Sequence, residues 1–519
     1  MGTKIAVPIA AENLAQAKQQ IKKAKAAGAE MLELRTDYLE NLNADLAANL
    51  VTEAKSAAPS QLPIITTCRD VRQGGTIDYP DRLRVEVLAA ALGAGSEFVD
   101  FEYENFLHTE NRGRIQRALS LSLKGRLILS AHNFKTKFHN TAKLYRHIQT
   151  LSPAAIPKLV YTANHINDCF DAFDLLHRTS GERIIFCMGQ ASLISRITAK
   201  KFNSFVTFAS IDDQTATAPG QITIEQVKKI YLWDTVNTNT QLYGVIGSPV
   251  AHSAGPVVHN TCFAETNRNK LYLPLLVEGG KEEFDYFLSH ILSRSWLGFS
   301  GFSVTIPHKE NALNFVKKNR GFIEPLAEKI GAVNTIIVGP NNKLFAYNTD
   351  YSAAMDAITS TLGPKAGLKN LPVAVIGAGG VAKAIVAGLS NAGAKITIYN
   401  RTFERGKKLA AEFGCESAPL QDLANLDAKL LINCTSLGMH PNIGETPIAQ
   451  EYLKKDMVVF DTVYNPVQTT LLKQAKEKKA KTIDGLSMFI NQAAAQFKLF
   501  TGKSAGLKLM RKTISNCLA

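Results

Sequence analysis

The first 233 residues repeat one unit eight times: a short β-rich run, then an amphipathic stretch that favours a helix. Strands that alternate with helices form parallel sheets, and eight units in this length fit a closed (β/α)₈ barrel. We therefore predict an α/β chain whose first domain, residues 1–233, is a TIM barrel. The predicted strands are 3–9, 30–36, 62–68, 97–102, 126–132, 156–162, 183–188 and 204–209.

Polar side chains gather where these strands end, which is where such barrels carry their chemistry. Glu33 and Arg35 are two residues apart on a strand, so both point into the barrel. Lys158 interrupts an otherwise apolar strand. Several cations on one rim would repel one another unless they surround an anionic substrate. The other candidates are Arg69, His132, Arg196, Thr217 and Gln221.

Lys158 has two interpretations. Burial disfavours an ammonium ion, and a neutral amine near pH 7 can form a Schiff base with a ketone. The alternative is a structural ion pair with Glu33, just as His132 alone could be a hydrogen-bonded core histidine. Because these residues coincide on one rim, we favour a catalytic site.

The motifs of this half, in their order and on these strands, resemble type I 3-dehydroquinate dehydratase throughout. The resemblance implies that Lys158 forms an imine with the substrate ketone, that His132 moves protons, and that Arg196 binds a carboxylate. It also implies a shared role in binding the substrate hydroxyls and closing the lid for five residues: Glu33, Arg35, Arg69, Thr217 and Gln221. The mechanism it implies requires no metal. The motifs are E-L-R (33–35), C-R (68–69), H-N-F (132–134), P-K (157–158), I-S-R (194–196) and A-P-G-Q (218–221).

Gln73 departs from that family, which often has a glutamate that orients the histidine at this position. Glutamine can hydrogen-bond an imidazole but cannot stabilise its charge. We therefore expect a slower or pH-shifted lyase. The alternative is a barrel with weak or no lyase activity that serves as a scaffold.

A dinucleotide site is predicted between Leu371 and Arg405, a strand, a glycine turn, a helix and a second strand. Gly377 makes the turn, Gly379 lets the backbone approach a pyrophosphate, and Ala382 allows close helix–strand packing. The predicted phosphate-binding residues are Gly377, Ala378, Gly379 and Gly380.

The end of the second strand favours NADP over NAD. NAD sites usually carry an acidic residue there, whereas this chain has basic and amide side chains that suit a 2′-phosphate. The alternative is that the arginines are solvated charges at a helix start. The residues are Asn400, Arg401, Thr402 and Arg405.

Lys309 and Asp350 are an acid–base couple, since a carboxylate can hold a lysine that gives or takes a hydroxyl proton. Taken on their own, a surface ion pair is the favoured interpretation of these two residues. The whole second half, however, resembles shikimate dehydrogenase. The motifs are IG-x-P-x-x-HS (246–253), VTIP-x-K (304–309), GAVNT (331–335), NTD (348–350), GAGG (377–380), NRT (400–402), N-C-TS-L-GM (433–439), D-x-x-Y-x-P (461–466) and G-x-x-M-x-x-x-Q (485–492).

This resemblance implies that Lys309 and Asp350 are catalytic and that the 433–439 loop, with Thr435 and Met439, lies beside the nicotinamide. It also implies a split substrate lobe, residues 241–349 with 486–519, around an NADP lobe at 350–485, after a polar linker at 234–240. The substrate-binding residues it implies are Ser253, Thr305, Asn334, Tyr464 and Gln492, with position 255 beside them.

Gly255 departs from this family, which usually has HS-x-S. Loss of a serine hydroxyl removes one hydrogen bond to a charged group, worth roughly 1.5–3 kcal/mol. The smaller residue also makes room for the extra hydroxyl of quinate. Quinate dehydrogenase is therefore a second hypothesis beside shikimate dehydrogenase.

Bulk properties favour acidic small molecules as ligands. The net charge is +14, but the sequence contains no run of five consecutive basic residues that would indicate binding to nucleic acid. The sequence contains no apolar run of about twenty residues, the length that a membrane span requires. We expect a cytoplasmic protein, or one of the plastid stroma if a transit peptide is removed, that converts 3-dehydroquinate to 3-dehydroshikimate and then to shikimate with NADPH.

Overall fold

The computed structural model describes residues 2–56, 62–251, 253–363 and 367–518. His252 of the HS motif lies outside the described residues. The chain divides into two compact units. One comprises Met1–Thr240 with Leu273–Val277, and the other comprises Gln241–Tyr272 with Glu278–Ala519.

The first unit is an eight-stranded parallel sheet with helices between its strands. The strands are β1 (Lys4–Ile9), β2 (Met31–Arg35), β3 (Ile64–Thr67), β4 (Phe98–Glu102), β5 (Arg126–Asn133), β6 (Ile156–Thr162), β7 (Ile184–Met188) and β8 (Val206–Phe208). The helices are α1 (Leu14–Ala26), α2 (Ala44–Ser56), α3 (Asp81–Gly93), α4 (Tyr103–Phe106), α5 (Thr109–Leu121), α6 (Thr141–Leu151), α7 (Cys169–Arg178), α8 (Leu193–Ile197) and α9 (Ile224–Lys229). All eight predicted strands are confirmed, with bounds that differ by at most two residues.

The strands follow one another around the sheet as a barrel requires. Their order is β7-β6-β5-β4-β3-β2-β1-β8, and each neighbouring pair is parallel. At the two ends of this ladder, the backbone N–H of Phe205 donates to the carbonyl of Arg183 at 2.7 Å. That bond joins the segments that lead into β8 and β7.

Side chains that point into the barrel change from apolar to polar along β2 and β4. Met31 and Phe98 belong to the apolar cluster of the interior. Two residues further on, and therefore on the same face, come Glu33 and Asp100. The carboxyl ends of the strands thus surround a buried polar site above an apolar floor.

The predicted linker packs on the barrel. Nζ of Lys201 donates to the carbonyls of Thr238 at 3.0 Å and Thr240 at 2.8 Å. The side chains of Val236 and Thr240 are buried. This segment is therefore an ordered part of the first unit.

Most of a mixed six-stranded sheet, in the order β10-β9-β11-β13-β14-β12, lies in the second unit. Its strands are β9 (Gln241–Gly247), β10 (Lys270–Leu276), β11 (Phe299–Val304), β12 (Phe322–Ile323), β13 (Thr335–Val338) and β14 (Leu344–Tyr347). Its helices are α10 (Gly255–Glu265), α11 (Lys281–Leu292), α12 (Lys309–Lys318) and α13 (Pro325–Ile330).

A second sheet of six parallel strands follows, in the order β17-β16-β15-β18-β19-β20. This is the 3-2-1-4-5-6 order of dinucleotide-binding Rossmann folds, with the switch point beside β15. The strands are β15 (Pro372–Ile376), β16 (Lys395–Asn400), β17 (Glu416–Pro419), β18 (Leu430–Asn433), β19 (Val458–Asp461) and β20 (Lys481–Ile483). The helices are α14 (Thr349–Leu362), α15 (Gly380–Asn391), α16 (Phe403–Phe413), α17 (Thr470–Glu477), α18 (Gly485–Thr501) and α19 (Leu507–Leu518).

The strand–turn–helix–strand prediction for 371–405 is confirmed as β15, α15 and β16. The β-branched residues of β15 are buried, and Ala382 of α15 is fully buried, so helix and strand pack closely. Helix α18 packs on α14 and on the first sheet of this unit. None of the described helices is both long and apolar enough to span a membrane.

Lys201→Met should release the segment that Lys201 holds. Methionine fills similar space but cannot donate to the two carbonyls, so the backbone amides of 237–241 should exchange with solvent at least about tenfold faster. Hydrogen exchange read by mass spectrometry measures this, with Lys228→Met as the matched control. Unchanged exchange in the Lys201 variant would contradict the assignment of the segment to the barrel.

Candidate active sites

A small cavity opens at the carboxyl ends of the barrel strands. Phe186, Met188 and Phe208 form an apolar part of its wall. The structure brings together every side chain predicted for the first site in the lining of this cavity: Glu33, Arg35, Arg69, His132, Lys158, Arg196, Thr217 and Gln221.

Lys158 is buried at the base of this cavity beside two carboxylates. Its Nζ donates to Oδ2 of Asp100 at 2.7 Å, and Oε1 of Glu33 lies 3.6 Å away. The ring of Phe208 lies 4.5 Å from Nζ. The ion pair with Glu33 that the sequence offered as an alternative therefore exists, but Asp100 is the nearer partner.

Asp100 is the residue that sequence reasoning missed. It is fully buried, and it also accepts a bond of 2.9 Å from Nη2 of Arg69. Burial raises the pKa of a carboxyl group, but Arg69 and Lys158 outweigh it and hold the pKa of Asp100 well below its ordinary value. The signal was present, because Asp100 and Glu102 have the same two-residue spacing on β4 as Glu33 and Arg35 on β2.

The three predicted arginines differ in their partners. Arg69 also donates to Glu102 at 2.7 Å, and Arg35 donates to Asp37 at 2.7 Å. Arg196 is buried, and its Nε and Nη2 have no hydrogen-bond partner among the described residues. Burial lowers the pKa of Arg196 to about 10, and the guanidinium stays charged. An unpaired buried cation in a cavity is a binding group for an anion.

His132 is held by Gln73. The side-chain oxygen of Gln73 accepts from the backbone N–H of His132 at 2.9 Å and lies 3.2 Å from Nδ1. An amide oxygen can only accept, so this contact favours the proton on Nδ1 and leaves Nε2 as the basic nitrogen. Burial, and then Arg69 and Lys158, lower the pKa of His132 well below its ordinary value.

The loop after β8 closes on the loop after β7. Oε1 of Gln221 accepts from the backbone N–H of Thr217 at 2.8 Å. Gly220 has φ +72, and a Cβ there would meet the carbonyl oxygen of Gly189 at 2.3 Å. Glycine is therefore required for this close approach.

In the second unit, Lys309 and Asp350 are a buried pair. Nζ of Lys309 donates to Oδ2 of Asp350 at 2.6 Å, and both side chains are about nine-tenths buried. Lys309 is the first residue of α12, and Asp350 lies in the first turn of α14. The surface ion pair considered from the sequence is wrong, because the two helix starts bury these groups together.

Asn334 lies beside this pair in a hydrogen-bonded environment. Its Oδ1 accepts from the backbone N–H of Thr349 at 2.9 Å, and its Nδ2 donates to Oγ1 of Thr349 at 2.9 Å. Since a backbone N–H can only donate, these contacts fix the orientation of the amide. Gln496, one helical turn after Gln492 on α18, donates to the carbonyl of Asn334 at 3.2 Å and was not predicted.

The other predicted substrate residues have mostly local contacts. The N–H of Thr305 bonds the carbonyl of Ile246, Oγ of Ser253 accepts from the N–H of Gly255, and the ring of Tyr464 lies 4.5 Å from that of Phe489. Burial raises the pKa of Tyr464, so the phenol stays protonated. Gln492 is half-buried on α18.

Gly255 offers less free space than the sequence suggested. A Cβ at this position would lie 3.2 Å from Cε1 of Tyr272 and 3.2 Å from Oγ of Ser253. A side chain at this position would therefore contact the ring of Tyr272, which comes from β10.

The glycine turn is shaped for a phosphate. Gly377 has φ +110, and a Cβ there would press on the backbone of Cys434 at 3.2 Å. A Cβ on Gly379 would meet nothing within 4 Å, so open space lies above the start of α15. A Cβ on Gly380 would lie 3.0 Å from Cδ of Lys309, so that glycine also admits the lysine. Ala378 lies within the turn, half-buried.

The end of β16 is basic and exposed. Asn400 donates to the carbonyl of Thr402 at 2.7 Å, which bends the chain into α16. Arg401 and Arg405 are exposed, and neither forms an ion pair with a described residue. Two uncompensated guanidinium groups there are suited to a phosphate.

Hydrogen bonds of Asn433 hold the loop that is predicted to lie beside the nicotinamide. Oδ1 of Asn433 accepts from the N–H and the hydroxyl of Thr435 at 3.0 and 2.7 Å. Nδ2 of Asn433 donates to the buried Asp461 at 3.0 Å. Met439, at the end of the loop, is exposed. No group of three or more His, Cys, Asp or Glu residues with metal-binding geometry occurs in the described part of the chain.

Four family models match successive stretches of the chain. They are type I 3-dehydroquinase at residues 5–238, the shikimate dehydrogenase substrate binding domain at 245–336, shikimate / quinate 5-dehydrogenase at 361–488, and the shikimate 5′-dehydrogenase C-terminal domain at 485–514. Each half is thus matched separately.

Relatives match either the whole chain or its second half. Over 54% of this chain and 99% of its own length, shikimate dehydrogenase (NADP(+)) of Methanosarcina barkeri is 40% identical. A crystal structure of shikimate 5-dehydrogenase from Thermus thermophilus, in complex with NADP(H) and shikimate, is 31% identical over 54% of this chain and 100% of that chain, with a TM-score of 0.47. A protein of Arabidopsis thaliana, named bifunctional 3-dehydroquinate dehydratase/shikimate dehydrogenase, chloroplastic, is 35% identical over 98% of this chain and 84% of its own length. Because that match includes both halves, the chain belongs to the family of bifunctional 3-dehydroquinate dehydratase/shikimate dehydrogenases.

Proposed function

We propose that the barrel dehydrates 3-dehydroquinate to 3-dehydroshikimate through a Schiff base on Lys158, and that the second unit reduces this product to shikimate with NADPH. The observation that carries the proposal is a pair of buried lysines, each beside an aspartate and each in a half that its own family model matches. The small-molecule substrates are carboxylates, which suits the unpaired guanidinium of Arg196.

In the lyase step, the amine of Lys158 adds to the substrate ketone and water leaves, which gives a protonated imine. The imine is the electron sink for removal of a proton from the neighbouring carbon, and the hydroxyl on the next carbon departs as water. Hydrolysis of the remaining imine then releases the product and regenerates the amine of Lys158. His132 has the tautomer and the lowered pKa to act as the base near neutral pH. Arg196 holds the carboxylate, and Glu33, Arg35, Arg69, Thr217 and Gln221 bind hydroxyls and close the lid.

In the second unit, Lys309 gives a proton to the carbonyl oxygen of the substrate, and Asp350 holds the ammonium at 2.6 Å in place for this transfer. Ser253 and Tyr464 bind the carboxylate end. Thr305, Asn334 and Gln492 bind hydroxyls, and the fixed amide of Asn334 suits such a contact.

The residues around the glycine turn fit NADP. The open space above Gly379 and the N–H groups at the start of α15 would receive the pyrophosphate. Arg401 and Arg405, with Asn400 and Thr402, would hold the 2′-phosphate. Thr435 and Met439 would lie beside the nicotinamide, which supplies a hydride when the cofactor is bound.

The Arabidopsis relative is named chloroplastic. We infer a cytoplasmic or plastid stromal site for the reaction.

Separate loss of the two activities is the first prediction from this proposal. Lys158→Met should lower dehydration at least about 10³-fold, because it removes the nucleophile, and leave NADP-dependent oxidation of shikimate within about twofold. Lys309→Met should do the reverse. Two spectrophotometric assays on the purified chain measure this, and borohydride with 3-dehydroquinate should label Lys158 in the wild type.

Labelling elsewhere, or dehydration that survives in Lys158→Met, would rule out the imine mechanism. A wild-type chain without any lyase activity would instead support a barrel that acts as a scaffold.

The pH dependence of dehydration should change in Gln73→Glu. Because the pKa of His132 is lowered, the imidazole stays neutral at pH values below the ordinary pKa of histidine. The acid limb of the pH profile of kcat/KM therefore lies at low pH in the wild type. A carboxylate at the position of the amide oxygen, 3.2 Å from Nδ1, favours the imidazolium and should move this limb up by about one pH unit.

A pH profile of dehydration tests this, with Gln149→Glu on α6 as a control that makes the same change in net charge away from the cavity. An acid limb that stays in place, or that moves to lower pH, would show that Gln73 does not set the protonation of His132.

Quinate oxidation is the second candidate function for the second unit, because Gly255 provides no hydroxyl beside Ser253. The ring of Tyr272 nevertheless lies only 3.2 Å from where a Cβ on Gly255 would be, which leaves little room at this position for an extra hydroxyl. We therefore expect kcat/KM for shikimate to exceed that for quinate at least about tenfold, a factor that corresponds to a modest steric cost. Equal or higher efficiency with quinate would make quinate dehydrogenase the better assignment.

A further inference from the structure

The aromatic ring of Tyr272 is seated by Gly255 and by its own packing. A Cβ on Gly255 would lie 3.2 Å from Cε1 and 3.6 Å from the hydroxyl of Tyr272. Contacts of this length force neighbouring atoms to move, so a larger residue at 255 would displace the ring. On another side, the ring of His259 stacks on it at a centroid distance of 4.4 Å. Tyr272 therefore has little freedom to move.

The hydroxyl of Tyr272 begins a buried chain of hydrogen bonds. It donates to Oγ of Ser303 at 2.6 Å, and that hydroxyl donates to Oε1 of Gln496 at 2.8 Å. The amide nitrogen of Gln496 donates to the carbonyl of Asn334 at 3.2 Å and to Oγ1 of Thr335 at 3.0 Å. Every link joins buried groups, for which a lost partner is costly.

This chain ends by orienting the amide of Asn334. The hydroxyl of Thr335 donates to Oδ1 of Asn334 at 2.8 Å, and the backbone N–H of Thr349 donates to the same oxygen at 2.9 Å. With its oxygen satisfied, the amide presents its nitrogen as the remaining donor group, and one of the two N–H groups bonds the hydroxyl of Thr349. Asp350 follows Thr349 directly.

We infer that Tyr272 is a positioning residue for the substrate of the second unit. Seated over Gly255, it holds Asn334, through Ser303 and Gln496, in the orientation that binds a substrate hydroxyl. The position beside Gly255 and the position of Asn334 are thereby coupled, and a change at one alters binding at the other. This inference rests on the proposed dehydrogenase function, because the ligand is taken to be a hydroxylated cyclic carboxylate.

Tyr272→Phe keeps the ring and removes the hydroxyl. KM for shikimate should rise about five- to tenfold, whereas kcat and KM for NADP should stay within about twofold, because the chain acts on a binding group and not on the proton transfer. Ser303→Ala should raise KM by a similar factor, because it interrupts the same series of hydrogen bonds at its second residue. Tyr243→Phe is the matched control. Its buried hydroxyl lies in the same unit but donates to the carbonyl of Phe500, which is not part of this series of hydrogen bonds.

Gly255→Ala should also raise KM, since its Cβ displaces the ring. In a Tyr272→Phe background its further effect should be less than about twofold, because both changes break the same coupling. Thermal unfolding of each variant establishes that it is folded. If Tyr272→Phe does not fold, the KM of Ser303→Ala tests the inference instead.

An active wild type with unchanged KM in Tyr272→Phe and Ser303→Ala, or with fully multiplicative effects in the double variant, would overturn the inference alone. A wild-type chain that does not oxidise shikimate with NADP would overturn the proposed function and this inference together.

Discussion

A buried ammonium ion is tolerated only beside a compensating carboxylate, and both sites of this chain are built around such a pair. Nζ of Lys158 lies 2.7 Å from Asp100, and Nζ of Lys309 lies 2.6 Å from Asp350. In the barrel the pair comes from the inward faces of β4 and β6, whereas in the second unit it comes from the starts of α12 and α14. Two unrelated folds thus bury a lysine beside an aspartate.

The compensation of charge also decides which cations remain for a ligand. Arg35 and Arg69 are bound by Asp37, Asp100 and Glu102, so their charges are already compensated within the protein. Arg196 and the arginines at the end of β16 have no such partner among the described residues. Those free guanidinium groups are where we expect the anionic parts of substrate and cofactor to bind.

The sequence was sufficient for what depends on local patterns. Strand positions, the glycine turn and the polar strand ends follow from periodicity and from the rule that barrel chemistry lies at carboxyl ends. Features that depend on distant contacts were not predictable in this way. The burial of Lys309 with Asp350, the partner of Lys158 on β4, and the ring of Tyr272 over Gly255 each join segments far apart in the chain. Asp100 could have been found from its spacing with Glu102, but which of two acids approaches the lysine could not.

The central claim is that one chain carries two consecutive reactions, the second of which uses the product of the first. The most direct measurement supplies the purified chain with 3-dehydroquinate and NADPH together and follows the absorbance of the conjugated product and of NADPH in one cuvette. We predict that the conjugated product appears first, and that NADPH then falls by one equivalent for each 3-dehydroquinate supplied. Accumulation of the conjugated product with no loss of NADPH, or no change in either signal, would contradict it.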